Sequence, residues 1–196
     1  MSIADSLGID EKQQLLRLAR QSIVNQLQDK ALPAIDSHSV SPALQTKTGC
    51  FVTLHKNGEL RGCIGYLEGI EPLYQAVINN AVNAAFSDPR FPPLRDHELK
   101  DIEIEITVLT PAKKLNYQGS DDLLTKLTPS VDGIIIKKGY HQATFLPQVW
   151  DQLPQKEDFL GHLCMKAGLP ATEWKKGELT VLIYHAFYFD EHTMKP

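Results

Sequence analysis

The sequence predicts an α+β fold, in which helices pack on a mainly antiparallel β-sheet within one domain of two sub-lobes. Two hairpin patterns support this prediction, because strands joined by a tight turn pair antiparallel. The element order is strand-strand-helix-strand followed by helix-strand-strand-helix-strand, which indicates two similar halves. A chain of 196 residues with 42% hydrophobic and 22% charged residues is typical of one globular domain. We therefore expect residues 1–196 to form a single domain.

The first half opens with an amphipathic helix. Asp10 precedes this helix, Pro33 ends it, and residues 34–48 form a connecting loop. A helix of this kind buries one apolar stripe against its neighbours. The stripe repeats at spacings of three and four and consists of Leu16, Ala19, Ile23 and Leu27.

A hairpin follows, and it is the strongest local pattern in the chain. Short apolar runs at 50–55 and 59–66 flank the tripeptide Lys56-Asn57-Gly58. Asn-Gly accepts the positive φ angles of a type I′ turn, which joins two strands through two residues. The sequence therefore predicts two paired strands here.

The turn also predicts a register for this hairpin. A two-residue turn places Val52 opposite Cys63. Because side chains alternate along a strand, Arg61 and Cys63 then point to the same face of the sheet. On that face the facing strand contributes Cys50, Val52 and Leu54.

A helix, a proline-rich loop and a strand complete the first half. Pro72 opens a helix that continues through Phe86, since proline is well tolerated at a first helical position. Residues 87–93 contain three prolines and must form a loop. Residues 102–108 alternate apolar and polar side chains, which predicts a strand with one buried face, and Pro111 closes it.

The second half is predicted to contain three helical segments, a hairpin and a final strand. Ser120 caps the first helix. Lys138-Gly139 turns the hairpin, and Gly168 ends the last helix as a left-handed cap. In chain order the predicted elements are 120–127, 133–137, 140–146, 147–153, 157–167 and 179–189.

Charge and composition argue against several classes of function. Twenty Lys and Arg against 24 Asp and Glu give a formal net charge of −4, so we expect no nucleic-acid and no membrane partner. No apolar stretch approaches the roughly 20 residues that span a bilayer, and residues 1–27 lack a signal-peptide pattern. The three cysteines, Cys50, Cys63 and Cys164, cannot all pair within one chain. Reduced thiols and a cytoplasmic location are therefore expected.

The candidate functional segment is Leu60-Arg61-Gly62-Cys63-Ile64-Gly65. Arg61 lies two positions from Cys63, and a guanidinium near a thiol favours the reactive thiolate. Gly62 and Gly65 weaken a strand, and such glycines mark a bulge or the close approach of a backbone or ligand. We therefore predict catalytic roles for Cys63 and Arg61, and substrate binding at Gly62 and Gly65. The alternative is a packed core cysteine, since free cysteine is among the most buried residue types.

The loop Asp88-Pro89-Arg90-Phe91 is a second candidate. Its rigid backbone presents an Arg suited to binding a carboxylate or phosphate. We predict that Arg90 and Asp88 contribute to substrate binding. The alternative is a helix-ending turn with a solvated Arg.

Other ionisable side chains give weaker hypotheses. Glu103 and Glu105 lie on one face of a strand, where they could serve as a catalytic acid and base. The alternative is that they form the solvent-exposed side of the strand. His55 or His141 could pair with the cysteine across the fold. None of the local His and Cys spacings typical of metal sites occurs, and no phosphate-binding glycine loop follows a strand. We therefore predict no metal and no cofactor.

Five segments of the chain occur in an order that resembles a known family. They are LRGCIG (60–65), SDPRFPPL (87–94), IEIEITVLTP (102–111), GIIIKKGYHQATFLPQVW (133–150) and FLGHLCMKAGL (159–169). Over about residues 12–190 the sequence resembles the AMME chromosomal region protein family, an AMMECR-type domain. Its bacterial and archaeal members are called AmmeMemoRadiSam system protein A.

The resemblance implies an α+β fold with antiparallel sheet and two sub-lobes. It also implies association, in microbes, with a Memo-like, dioxygenase-related protein and a radical SAM protein. It supplies no reaction, but it marks residues 60–65, together with Asp88, Arg90 and Phe91, as functional segments. Two functions stay open. One is a small-molecule-binding or thiol-dependent enzyme component, and the other is a non-catalytic protein-interaction module or scaffold.

Overall fold

The computed structural model describes residues 7–194 and confirms the α+β fold class. Hairpins and helices share the chain, and the strand pairs with a defined register are antiparallel. The chain divides into two compact units. The described part of the first unit covers residues 7–110 and 187–194, and the second unit is Pro111–Ala186. The predicted single domain also includes residues 1–6, 195 and 196, which lie outside the described residues.

The first unit packs helices on one face of a sheet. Its elements are α1 Ile9–Leu27, α2 Pro42–Gln45, β1 Cys50–Lys56, β2 Glu59–Tyr66, α3 Leu73–Phe86, β3 Ile102–Leu109 and the end of β7 Thr180–Asp190. Helix α1 contacts α3, and α3 lies against strands β1 and β2. The strand order is β2-β1-β3, followed by the end of β7. Short 3-10 helices occupy Ser37–Ser39 and Asp96–Asp101.

The apolar periodicity of the sequence builds this core. The stripe predicted for α1 is buried at Leu16, Ala19 and Ile23. Burying such side chains contributes about 1.5–3 kcal/mol each for the larger aliphatic residues. From the sheet, the same core receives the inward-facing side chains of Val52, Leu54, Ile104, Ile106 and Phe189.

The first hairpin forms the predicted turn but not the predicted register. Asn57 and Gly58 have φ angles of 54° and 81°, as a type I′ turn requires. A bulge then shifts the pairing, because Leu54 faces Gly62 whereas His55 faces Leu60. Arg61 is the extra residue of the bulged strand.

Because of the bulge, the neighbours of Cys63 differ from those predicted. Cys63 pairs with Thr53, and Val52 pairs with Ile64 instead. A shift of one residue moves a side chain to the other face of the sheet. Cys63 therefore lies on the face opposite to Cys50, Val52 and Leu54, which are buried in the core.

Gly62 and Gly65 allow other backbones to approach β2 closely. A Cβ atom on Gly62 would lie 2.1 Å from the Ala84 carbonyl oxygen of α3. A Cβ atom on Gly65 would lie 2.2 Å from the Cys50 carbonyl oxygen. The glycines therefore mark both a bulge and a close backbone approach, because Gly62 lies beside the bulge and both residues accommodate a neighbouring backbone.

The second unit has its own sheet segment and core. Strand β7 pairs with β4 and β5, and β5 pairs with β6. Trp150 stacks on Phe159 with ring centroids 3.7 Å apart, and both side chains are fully buried. The bounds are β4 Lys113–Lys114, α4 Gly119–Lys126, β5 Asp132–Lys138, β6 His141–Phe145 and α5 Lys156–Lys166, with 3-10 helices at Pro147–Asp151 and Glu173–Lys176.

Most predicted elements of this unit are confirmed to within a residue or two. The predicted cap at Ser120 is wrong, since α4 starts at Gly119 and the Asp122 carboxylate binds the Gln118 N–H. The second hairpin turns at residues 139–140, one residue later than predicted. Gly168 ends α5 with a φ angle of +74°, as predicted. Among residues 7–194, no helix has the length and apolar content needed to cross a membrane.

Replacing Gly62 by Ala should lower the free energy of unfolding by about 1–3 kcal/mol, because the new methyl group forces α3 away from β2. Gly161→Ala in α5 is the matched control, since a methyl group there meets only ordinary van der Waals contacts, with Ala171. That change should stabilise the protein by about 0.4–1 kcal/mol. Urea unfolding of both variants measures the two effects. Equal effects of both substitutions would contradict the close approach at Gly62.

Candidate functional site

The Asp88–Arg90 loop holds the backbone of Cys63 at the outer strand of the first unit. The Cys63 N–H donates to Asp88 Oδ2 at 2.9 Å, and Arg90 Nη2 donates to the Cys63 carbonyl at 3.3 Å. Both groups point away from β1, so Cys63 and Thr53 form a non-hydrogen-bonded pair, whose side chains approach most closely. Two side chains thus take the place of a neighbouring strand at this edge.

Asp88 and Arg90 also bind each other. Arg90 donates from Nε to Asp88 Oδ1 at 3.0 Å and from Nη2 to Oδ2 at 2.7 Å. This bidentate hydrogen bond, helped by the N–H groups of Cys63 and Arg90, holds the pKa of the buried Asp88 carboxyl well below its usual range, although burial opposes the shift. The hydrogen bond to Asp88 in turn raises the pKa of Arg90, although burial opposes this shift.

Cys63 is partly exposed, unlike the other two cysteines. The Thr53 hydroxyl donates to Cys63 Sγ at 3.3 Å, and the residue is half-buried. The other two cysteines are free and buried, with exposed fractions of 1% for Cys50 and 0% for Cys164. Burial raises the pKa of the Cys50 thiol to about 12 and also raises that of Cys164. Cys63 therefore differs from both in its access to reagents.

Arg61 binds a carboxylate from another segment. The sequence predicted that its guanidinium would act beside the thiol. In the structure, Nε and Nη2 donate to the two Glu98 oxygens, each at 3.1 Å, and Nη2 also donates to the Pro92 carbonyl at 2.9 Å. Both Arg61 and Glu98 are buried. Arg61 thereby anchors the bulge to the residues that follow the Asp88–Arg90 loop, and its predicted catalytic role stays a prediction.

Ionisable side chains continue from Cys63 across the same face of the sheet. Thr53 pairs with Glu105 on β3, and His55 pairs with Glu103. His55 Nε2 lies 3.9 Å from Glu105 Oε2. Both glutamates are half-buried, and burial raises the pKa of Glu105. The face thus combines a thiol with carboxylates and an imidazole, the groups used in acid–base and nucleophilic chemistry.

Two contributors to this site were missed by reasoning from the sequence. The predicted register pairs Cys63 with Val52, which leaves Thr53 on the opposite face, because it does not include the bulge. Glu98 carries no local sequence signal, yet in the structure it binds Arg61 and also Lys56, the latter at 2.9 Å. Gly62 is the sequence signal for the bulge, because a glycine within a strand often marks one. A bulge beside Gly62 places Thr53 opposite Cys63.

Residues 16–189 match the AMMECR1 family, and all the candidate residues from Arg61 to Arg90 lie within the match. The chain belongs to the AMMECR1 family. The resemblance drawn from its motifs is confirmed.

AMMECR1-family relatives cover nearly the whole chain. It is 39% identical to Protein MK0488 of Methanopyrus kandleri, over 96% of this chain and 92% of that protein. A protein of Methanothermobacter thermautotrophicus is 40% identical, over 94% of this chain and 96% of its own. The crystal structure of the uncharacterised protein PH0010 from Pyrococcus horikoshii superposes with a TM-score of 0.80 at 34% identity, covering 92% of this chain and 91% of that one.

The Glu98 carboxylate predicts a pH dependence of stability. Its hydrogen bonds with Arg61, and then with Lys56, lower its pKa from 4.5 to about 2 against the opposing effect of burial. A pKa lowered on folding stabilises the protein above the unfolded value, and this contribution is lost as the pH falls through the folded value. Stability should therefore fall between about pH 5 and pH 2.

Glu98→Gln tests this dependence. We expect a loss of about 3 kcal/mol or more at neutral pH, because Arg61 is left buried without its counter-charge. The acid limb of the stability profile should also flatten. Denaturant unfolding at a series of pH values measures both effects, with the exposed Glu59→Gln as control. Parallel profiles for wild type and Glu98→Gln would refute the assignment.

Proposed function

We propose that this AMMECR1-family protein is a thiol-dependent enzyme component that binds a small anionic molecule beside Cys63. The supporting observation is that the partly exposed Cys63 has its thiol bound by the Thr53 hydroxyl and its carbonyl bound by the Arg90 guanidinium. In this proposal Cys63 is the nucleophile or carrier, and Arg90 binds the anionic group of the substrate.

Arg90 has the exposure and the donors that such a role requires. Its side chain is 53% exposed, whereas that of its partner Asp88 is 2% exposed. A guanidinium carries five N–H donors. Its hydrogen bonds to Asp88 and Cys63 use Nε and Nη2, which leaves Nη1 for a carboxylate or phosphate. Asp88 orients the guanidinium, which also binds the Cys63 carbonyl, so a bound anion would lie close to Cys63.

Partner proteins are part of the same proposal. The family resemblance implies Memo-like and radical SAM partners, and we infer that the thiol site works together with them. A specific observation favours the alternative of a non-catalytic interaction module: Asp88 and Arg61 are both engaged by internal partners. Co-purification of the chain with those two proteins, in wild type and Cys63→Ser, separates the two functions. If the chain is an enzyme component, Cys63→Ser abolishes cellular function and leaves the complex with the two partners intact.

The anion-binding role of Arg90 is tested by comparing two alkylating agents at Cys63. Iodoacetate is an anion and iodoacetamide is neutral. The rate of Cys63 labelling by iodoacetate, divided by the rate with iodoacetamide, therefore reports attraction by the guanidinium. Arg90→Gln should lower this ratio by about two- to fivefold, as expected for an exposed pair worth up to about 1 kcal/mol. Added salt should lower the wild-type ratio in the same direction. Mass spectrometry of the labelled peptides measures both rates.

Two controls make the outcome decisive. Arg17→Gln removes an exposed guanidinium on α1 and should leave the ratio unchanged. Cys50 and Cys164 should stay unlabelled, which shows that the protein remains folded during the reaction. Labelling of Cys63 only together with the buried cysteines would refute the proposal, as would an unchanged ratio in a folded Arg90→Gln variant.

A further inference from the structure

We propose that Glu103, Asp190 and His192 form a binding site for a first-row divalent metal ion, of the zinc class, in the first unit. Each residue offers one ligand atom, and these atoms all lie within 4.8 Å of one another. Ligand atoms around a tetrahedral zinc ion, with bonds of about 2.0–2.2 Å, lie about 3.4 Å apart. Small rotations of the three side chains therefore suffice to enclose an ion.

The backbone brings the three residues together from distant parts of the sequence. Glu103 lies on β3, Asp190 ends β7, and His192 follows in the next turn. The intervening Glu191 fixes this turn to β3, because its N–H donates to the Ile104 carbonyl at 3.1 Å and its Oε2 accepts the Ile104 N–H at 3.0 Å. The Arg20 guanidinium from α1 also binds the Glu191 carboxylate.

The orientation of Asp190 is fixed as well. Its Oδ1 accepts hydrogen bonds from the Thr193 N–H at 2.6 Å and the Thr193 hydroxyl at 2.9 Å. Metal-binding carboxylates are commonly held by hydrogen bonds of this kind. The turn therefore presents Asp190 and His192 toward β3 from a supported backbone.

The charge of the cluster is the second observation that favours a cation. Two carboxylates lie close together, and among residues 7–194 no ion pair includes Glu103 or Asp190. Glu103 is half-buried, so water screens this repulsion less than at an open surface. A divalent ion would neutralise both carboxylates.

The donor set indicates which ions fit. One imidazole with two carboxylates suits zinc, manganese or iron(II) better than calcium or magnesium, which prefer oxygen ligands alone. Three protein ligands with an exposed His192 leave coordination positions for water, as in zinc sites of the catalytic type. Asp190 and His192 lie beyond residue 189, where the family match ends, so the inference concerns this chain.

Calorimetric titration of the full chain with Zn²⁺ alone, at neutral pH, tests the site. The wild type should bind one ion per chain at this cluster. Asp190→Asn and His192→Ala should each weaken binding by about tenfold or more. His192 is exposed, so its substitution leaves the fold intact and keeps the test meaningful if Asp190→Asn unfolds the chain.

Two further variants separate this site from other zinc ligands. His162→Ala removes an exposed histidine from α5 and should leave the affinity unchanged. Cys63→Ser should also leave it unchanged, which distinguishes the site from thiolate binding at the proposed functional cysteine. Absence of binding by the wild type would overturn the inference. So would zinc binding that is lost in Cys63→Ser and kept in His192→Ala.

Discussion

The hydrogen bond between the Asp88 carboxylate and the Cys63 N–H is the interaction on which the candidate site depends. It joins the loop after α3 to the outer strand of the first unit, and it brings Arg90 to the Cys63 carbonyl. An outer strand otherwise presents free backbone groups that invite pairing with another chain. Asp88 and Arg90 form hydrogen bonds with the backbone N–H and carbonyl of Cys63. The strand can therefore carry a partly exposed thiol without unpaired backbone groups at the same residue.

The packing behind the sheet supports the same residue. Gly62 lets the Ala84 carbonyl approach β2, and the bulge at Arg61 turns Cys63 away from the core. Arg61 then reaches Glu98, so that a buried ion pair anchors the bulge. A buried pair of this kind adds little net stability over apolar packing, but breaking it leaves an uncompensated charge. Its position beside the bulge indicates that it fixes a local geometry.

Periodicity and turn chemistry predicted the longer helices, the hairpins and the fold class, whereas the short helix α2 lies in the segment 34–48 that was predicted as a loop. The Asn57-Gly58 turn was correct because it depends on local φ angles alone. The register failed because a bulge depends on tertiary packing, here of α3 against Gly62. The one extra residue of the bulge, Arg61, shifts the pairing so that Thr53, and not Val52, lies opposite Cys63. The prediction of no metal rests on local spacing and stays a prediction. Local spacing does not detect a cluster assembled from β3 and the turn after β7.

Asp88 fixes the backbone of Cys63, and hydrogen exchange of the Cys63 amide tests this interaction most directly. The exchange rate is compared between wild type and Asp88→Ala, with the amides of the central strand β1 as internal reference. We expect Asp88→Ala to speed exchange at Cys63 by about tenfold or more relative to β1, since the N–H loses a charge-assisted hydrogen bond worth about 1.5–3 kcal/mol. An unchanged ratio of the two rates would show that Asp88 does not hold the Cys63 backbone.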